Sequence, residues 1–186
     1  MAKSVAKKDF LYDLHEKIRE HCETVTAVYK PLTLEQLTTQ PDPKEWNILQ
    51  CFDHLNLTHD YYNAKIKTAL DNPAPTNPQN DVYKPSFFGR IYMHFAFNPN
   101  YSFSVADEMA PDTAVSRDAL TIYLHKQDHL LQTLSQVNGI NLAKTKIPIS
   151  TGVNFNLGDC LKILVYHDAL HLDQARRILK VLNIKS

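Results

Sequence analysis

One stretch near the end of the chain, residues 165–174, reads VYHDALHLDQ and is the most informative part of the sequence. Its two histidines, His167 and His171, are four residues apart, so on a helix they lie one above the other on the same side. Helical geometry places mostly apolar side chains within about 60° of His167. These neighbours are Cys160, Ile163, Leu164, Leu170, Gln174, Ile178 and Leu182. The stretch therefore predicts a helix whose buried stripe carries two imidazoles.

Two neighbouring imidazoles inside an apolar stripe need polar partners, because burial removes the water that would otherwise satisfy them. A metal ion is one such partner, since each neutral ring offers a nitrogen lone pair. Hydrogen bonds to neighbouring core side chains are the other, and the residues alone leave both interpretations open. A second pair with the same spacing, His125 and His129, falls on a polar helix face and is expected to face water. Spacing by itself therefore does not indicate a metal site.

The rest of the chain predicts three more long helices, because apolar residues recur at helical spacing over residues 9–30, 44–70 and 116–137. Asp42 is the expected N-cap of the second of these helices, and Asn156 is the expected N-cap of the last one, which runs to about residue 181. A capping box at Thr33 predicts a short helical turn in between. Residues 144–154 are predicted to be an irregular linker. The sequence thus predicts an all-α four-helix bundle, a single domain over residues 1–186.

The connection between the second and third long helices, residues 71–112, is long for a compact domain and suggests a crossover over the end of the bundle. A short helix is expected near residues 87–95. Apolar rings cannot be left in water, so we expect this segment to pack on the body of the protein. Its aromatic residues are Tyr83, Phe87, Phe88, Tyr92, Phe95, Phe97, Tyr101 and Phe103.

Composition excludes several classes of protein. Among 186 residues, 20 basic side chains balance 20 acidic ones, which argues against binding to nucleic acid or to an anionic membrane by bulk charge. No apolar run is long enough to span a membrane, and the first residues carry no apolar signal core, so we expect a cytoplasmic protein. The three cysteines lie far apart, which favours core packing over a thiolate metal site.

A metal site would need a third ligand from a helix that neighbours the last one. The candidates are His15, His21, His54, His59 and His94. His54 lies at the edge of the apolar stripe of its helix, on a mixed face with Gln50 and Tyr61, which suits the wall of a cavity open to solvent. His59 lies closer to the apolar stripe. Helical projection does not separate these two histidines.

Two motifs together resemble the DinB-like (DinB/YfiT-like) superfamily of metalloenzymes. Trp46 precedes His54-Leu55 by the family spacing in the second long helix, and the last helix carries the run from His167 to Gln174 with its His-x3-His-x2-Gln pattern. A proline-containing linker at residues 107–111 also stands where family members carry one. The resemblance covers most of the chain and implies a four-helix bundle with an up-down-down-up arrangement.

The resemblance also implies a metal triad of His54, His167 and His171. Many family members have a basic residue directly before the last histidine, where this chain has Leu170. That departure leaves the triad intact and puts a substrate contact at this position in doubt. Gln174 is expected to orient a ligand histidine or the substrate, and Gln50 and Tyr61 are weaker candidates for the wall of the cavity.

Three histidines with an open fourth position are typical of a catalytic metal site, and zinc or nickel suits such a set. Characterised members of the family include thiol-dependent transferases. The resemblance therefore implies a metal-dependent S-transferase or a hydrolase-like enzyme acting on a small-molecule substrate or a low-molecular-weight thiol. The alternative is a non-catalytic, metal-stabilised bundle that serves as a stress-associated binding protein. The aromatic crossover could also cover the surface of a homodimer.

Overall fold

The computed structural model of the protein describes residues 4–76, 81–98 and 105–184. Four long helices form a bundle: Lys7–Thr24 (α1), Ile48–Leu70 (α3), Ala119–Gln136 (α5) and Leu157–Val181 (α6). The shorter elements are the helices Leu34–Thr38 (α2) and Phe87–Ala96 (α4), the π-helical turn Val25–Tyr29, the 3-10 turns Asp107–Met109 and Val137–Gly139, and the strands Val5–Ala6 (β1), Val82–Tyr83 (β2), Lys146–Ser150 (β3) and Val153–Asn156 (β4).

Two hydrophobic clusters give the direction of each long helix. One cluster joins the first half of α1 and of α6 to the second half of α3 and of α5, with Leu14, Ile66 and Leu130 among its buried members. The other joins the opposite halves, with Phe52 and Leu179 among its members. Helices α1 and α6 therefore start at one end of the bundle, and α3 and α5 start at the other. This is the expected up-down-down-up arrangement, and it requires the long crossover between the parallel helices α3 and α5.

Helix α3 begins later than the sequence predicted. The expected N-cap, Asp42, lies instead in a turn, where its carboxylate accepts a hydrogen bond from the backbone N–H of Lys44 at 2.9 Å. The helix begins at residue 48, because Asn47 and Gln50 form a reciprocal capping box. Trp46 consequently lies outside the helix, where its ring can turn toward the bundle.

The predicted linker at residues 144–154 was also wrong, since β3 and β4 form an antiparallel hairpin there. Its pattern is too short to stand out in the sequence, but Ile147 and Phe155 face each other across the hairpin and are buried. Gly152 makes the turn with φ of 76°, a conformation that glycine adopts without steric cost. The N-cap expected at Asn156 is confirmed, with Asp159 as its partner in a capping box.

The crossover packs on the bundle through part of its aromatic surface and exposes the rest. Tyr83 is buried, stacks on the ring of Phe10 with centroids 4.1 Å apart, and donates a hydrogen bond to Asp159 at 2.9 Å. In contrast, Phe87 at the start of α4 is 63% exposed. The expectation that the aromatic segment packs on the body therefore holds for Tyr83 and fails for Phe87, because the outer face of α4 has no helix against it among the described residues. Tyr101 and Phe103 lie outside the described residues.

None of the helices that the structure describes combines the length and the apolar character that a membrane-spanning segment needs.

Candidate metal centre

Three histidines from two helices converge near the middle of the bundle. His54 comes from the second turn of α3, and His167 and His171 come from successive turns of α6. One ring nitrogen of each lies within 4.8 Å of the others. The Nε2 atoms of His54 and His167 are 3.1 Å apart. In the described part of the chain, this is the only cluster of three or more potential metal-ligating side chains of this kind.

Hydrogen bonds orient two of the three rings. Nδ1 of His54 lies 2.7 Å from the backbone carbonyl oxygen of Met109, and Nδ1 of His171 lies 2.7 Å from the side-chain oxygen of Gln174. Both oxygens only accept hydrogen bonds, so each Nδ1 donates its proton. The Nε2 atoms of these two rings are left with lone pairs that point into the cluster. Nδ1 of His167 is buried with no hydrogen-bond partner in the described structure.

Burial keeps the three imidazoles neutral. Loss of solvation, together with the smaller effect of the neighbouring imidazoles, lowers the pKa of His167 to about 4 and that of His171 to about 3. Burial also lowers the pKa of His54, although its hydrogen bond to Met109 opposes the change. All three rings are therefore unprotonated at neutral pH, which is the state in which histidine binds a metal.

A cavity of about 330 Å³ opens directly onto the triad. Its wall combines the three histidines with Thr58, Tyr62, Tyr92, Ala96, Phe97, Val105, Ala106, Met109 and Leu170. Thr58 and Tyr62 follow His54 at intervals of four residues, so the wall continues along one face of α3. This periodicity was visible in the sequence, but it could not show that the crossover supplies the facing wall.

Trp46 and Gln174 lie against the triad, as the two motifs suggested. The Trp46 ring packs on His54 and His171 with centroid distances of 5.0 and 5.9 Å. The late start of α3 at residue 48 permits this contact, because Trp46 then lies before the helix and not within its repeat.

Gln50 and Tyr61, the weaker candidates for the cavity wall, are placed elsewhere. Gln50 caps the start of α3 and donates a hydrogen bond to the carbonyl oxygen of Asp112 at 3.2 Å. The Tyr61 hydroxyl points to the carbonyl of Ile149 in the hairpin at 3.5 Å. Neither side chain lines the described cavity, where Tyr62 takes the place expected for its neighbour.

His59 belongs to a different buried network that the sequence analysis missed. Its Nε2 lies 3.0 and 3.1 Å from the two carboxylate oxygens of Asp168, and Gln127 donates to the same carboxylate at 2.8 Å. All three side chains are at most 1% exposed. Burial raises the pKa of Asp168, but the charge and hydrogen bond of His59 outweigh it and hold that pKa below its usual value. The signal for this network in the sequence was Asp168, a carboxylate within an otherwise mostly apolar stretch of the last helix.

The remaining histidines and cysteines do not join the cluster. His15, His94, His125 and His129 are exposed, so the pair on α5 faces solvent as predicted. His21 is buried on α1 away from the triad. The cysteines are unpaired, and burial raises the pKa of the Cys51 thiol to about 12, which makes it unreactive at neutral pH.

A larger and more open groove of about 860 Å³ lies at the far end of α3, beside the hairpin. Its polar groups are the side chains of Lys65, Thr68, Asn72, Lys144, Thr145 and Lys146. It contains no histidine, cysteine or carboxylate in the described residues. Because metal and acid–base chemistry need such groups, the smaller cavity at the triad is the better candidate for a reaction site.

Comparisons with known proteins agree with this architecture. None of the curated proteins matches the chain. The structure of YfiT from Bacillus subtilis is similar, with a TM-score of 0.58 and 14% sequence identity over 96% of this chain and 89% of YfiT. YfiT is described as a probable metal-dependent hydrolase with an unusual four-helix bundle topology. At this identity the likeness shows the fold alone. The family model of the DinB superfamily matches residues 17–175, and the chain therefore belongs to the DinB superfamily.

Proposed function

We propose that His54, His167 and His171 bind one divalent metal ion, zinc or nickel, and that the protein is a metal-dependent enzyme of the hydrolase or thiol-transferase type. The observation that carries the proposal is the convergence of three neutral imidazoles at the base of a cavity. The similarity to YfiT, described as a probable metal-dependent hydrolase, supports the same class of activity. A small molecule or a low-molecular-weight thiol is the proposed substrate.

The donor set fits a metal without large movement. Two ligands of a tetrahedral zinc ion, at about 2.0–2.1 Å from it, are separated by about 3.3 Å, and Nε2 of His54 lies 3.1 Å from Nε2 of His167. Without a metal, one of these two nitrogens would have to donate a hydrogen bond to the other. With a metal, the Nε2 lone pair of His54, which points toward His167, can bind the ion instead. The open cavity above the triad leaves a fourth position for water or substrate.

Such an ion, when bound, supplies Lewis acidity that lowers the pKa of a coordinated water or thiol. The surrounding residues keep the ligating nitrogens available to the ion. Met109 and Gln174 hold the protons of the two outer rings on Nδ1, which keeps the ligating nitrogens free. Trp46 packs on the rings of His54 and His171, and Leu170 lines the cavity beside them. No carboxylate lines the cavity in the described residues, so a general base there would have to be a group bound to the ion.

Elemental analysis of protein purified without a histidine tag tests the proposal. We expect about one zinc or nickel ion per chain, and its loss in His167→Ala and in His54→Ala. The matched control is His125→Ala, because His125 belongs to the exposed pair with the same spacing. Absence of stoichiometric metal in the wild-type protein, both as purified and after addition of zinc or nickel, would refute the proposed function.

The alternative of a metal-stabilised, non-catalytic bundle predicts a different result with the same material. A purely structural site would lose thermal stability on chelation but would bind no exogenous ligand at the metal. Cobalt-substituted protein distinguishes the two, since an exogenous ligand at an open position changes its visible spectrum. We expect such a change, because the cavity leads to the triad from outside.

The homodimer is part of the same proposal and rests on the crossover. Phe87, Phe88 and Ile91 on α4 are 63, 40 and 39% exposed, which is more apolar surface than a short helix usually leaves in water. Sedimentation velocity of the wild type and of Phe87→Ser is the test. A monomer at every concentration would contradict it.

A further inference from the structure

The wall of the triad cavity contains no charged side chain among the described residues. Apart from the histidines, it consists of apolar groups, Thr58 and the two tyrosines Tyr62 and Tyr92. Its four members from the crossover on either side of the undescribed residues, Ala96, Phe97, Val105 and Ala106, are all apolar. A ligand inside the cavity would therefore meet no ionic partner except the metal.

The buried acid next to the triad does not change this balance. Asp168 follows His167 in α6, but its carboxylate is turned to the other side of the helix and is held by His59 and Gln127. Three neutral imidazoles leave the two positive charges of a divalent ion uncompensated at the base of the cavity. That end of the cavity favours one anionic donor atom, whereas a second charge on the ligand would be desolvated without a partner.

Two hydroxyl groups provide the cavity with hydrogen-bonding capacity that is not ionic. Tyr62 is buried and its hydroxyl is hydrogen-bonded to that of Tyr92, which is 37% exposed. Burial raises the pKa of both phenols, so they remain neutral hydrogen-bonding groups. Leu170 and Phe97 supply apolar contact beside them.

From this wall we infer the substrate class. The cavity selects small molecules with an uncharged, apolar body and a single ionisable donor atom, such as an apolar thiol, and it discriminates against analogues with a second charge. Leu170 is a residue that determines this specificity, because it occupies the wall directly beside His171. The inference rests on the proposed function, since the donor atom is assigned to the metal.

A matched pair of thiols tests the inference. Benzyl mercaptan and 4-(mercaptomethyl)benzoate differ by one carboxylate at the far end of the ring. Each is titrated into cobalt-loaded protein, and the near-ultraviolet charge-transfer band reports the thiolate at the metal. We expect the neutral thiol to bind about tenfold more tightly or better, because the carboxylate gains no partner on entering the cavity. Equal affinity, or tighter binding of the carboxylate, overturns the inference.

Two variants of one residue sharpen the result. Leu170→Arg places a cation in the wall and should reduce or reverse the preference. Leu170→Met keeps the wall uncharged at similar volume and should retain it. Circular dichroism checks that both variants fold. An unchanged preference in a folded Leu170→Arg protein would remove Leu170 from the specificity and count against the inference.

A metal-free measurement separates failure of this inference from failure of the proposed function. Benzyl alcohol and 4-(hydroxymethyl)benzoate are titrated into chelator-treated protein, and amide chemical shifts of Leu170 and its neighbours are followed by NMR. We expect weak binding of the alcohol and weaker binding of its carboxylate analogue, since the uncharged wall is present without the ion. If neither probe binds at millimolar concentration, the inference fails. If the wild type holds no metal but the preference persists, only the proposed function fails.

Discussion

Gln174 provides the sharpest test of the proposed metal centre. Its side-chain oxygen accepts a hydrogen bond of 2.7 Å from Nδ1 of His171, and no other partner of that nitrogen is present in the described structure. Replacing it in Gln174→Leu keeps a similar volume and removes the acceptor. The ring would then be free to rotate or to exchange tautomers, so the lone pair on Nε2 would no longer be held toward the ion.

The expected loss follows from the energy of that contact. A hydrogen bond between neutral groups contributes about 0.5–1.5 kcal/mol net, and loss of such an outer partner of a ligand histidine reduces metal affinity by about 10–100-fold. Gln174 is half-buried rather than fully enclosed, so water can replace part of the bond. We therefore expect a loss near tenfold, which corresponds to about 1.4 kcal/mol. Gln174→Glu, which keeps the acceptor and adds a negative charge, should instead increase the affinity.

Competition with a fluorescent zinc chelator measures both changes. Gln132→Leu is the matched control, because Gln132 is exposed on α5 and should leave the affinity unchanged. The reasoning is refuted if Gln174→Leu binds zinc as tightly as the wild type while remaining folded. It is also refuted if Gln174→Glu weakens binding to the same extent as Gln174→Leu, because the acceptor would then be irrelevant.

Three further predictions concern stability. Folding lowers the pKa of His167 to about 4 and that of His171 to about 3, from an ordinary value near 6.5. The unfolded chain therefore binds more protons below pH 6.5, and the metal-free protein should lose up to about 3 kcal/mol of unfolding free energy per histidine as the pH falls to 4. Urea unfolding at pH 7 and pH 4.5 measures this loss, and the unfolding free energy should depend less on pH when either histidine is replaced by leucine. Asp168→Ala leaves His59 buried without its carboxylate partner and should cost about 3–5 kcal/mol of unfolding free energy; a loss below 1 kcal/mol in urea titration would contradict the buried pair. A Cβ added in Gly89→Ala would collide with the carboxylate of Asp159, so we expect a loss of about 1–3 kcal/mol and a lower thermal midpoint. Gly139→Ala is the control, because its Cβ would meet no atom within 4 Å and should have little effect.

Local signals in the sequence predicted the helices well and their starts less well. The capping boxes at Thr33 and Asn156 form as expected, because each involves residues within one turn. Asp42 also carried a good N-cap pattern, yet the cap formed at Asn47. Five residues further on, Asn47 forms its capping box with Gln50, and which position starts the helix depends on how the rest of the chain packs. The outcome places the Trp46 ring against the triad instead of inside the helix.

The crossover was harder to predict for a different reason. Its buried residues contact partners that are far away in sequence. Tyr83 is buried because it meets Phe10 and Asp159, which lie 73 and 76 residues away. Phe87, only four residues later, is exposed. Both residues are aromatic and lie in the same segment, so composition could not show which of them would be buried.

The sequence by itself determined that His167 and His171 share the inner face of one helix, since residues four apart on a helix are neighbours whatever surrounds them. It also determined that His125 and His129 face water, because the polar face around them is local too. Helical projection did not separate the candidates for a third histidine; the family resemblance implied His54, and only the tertiary structure shows which ring lies beside the other two. His54 and His59 are five residues apart on α3, and the rotation of that helix against α6 turns His54 to the triad and His59 to Asp168. That rotation is set by how whole helix faces pack, so it cannot be predicted from any single residue or spacing.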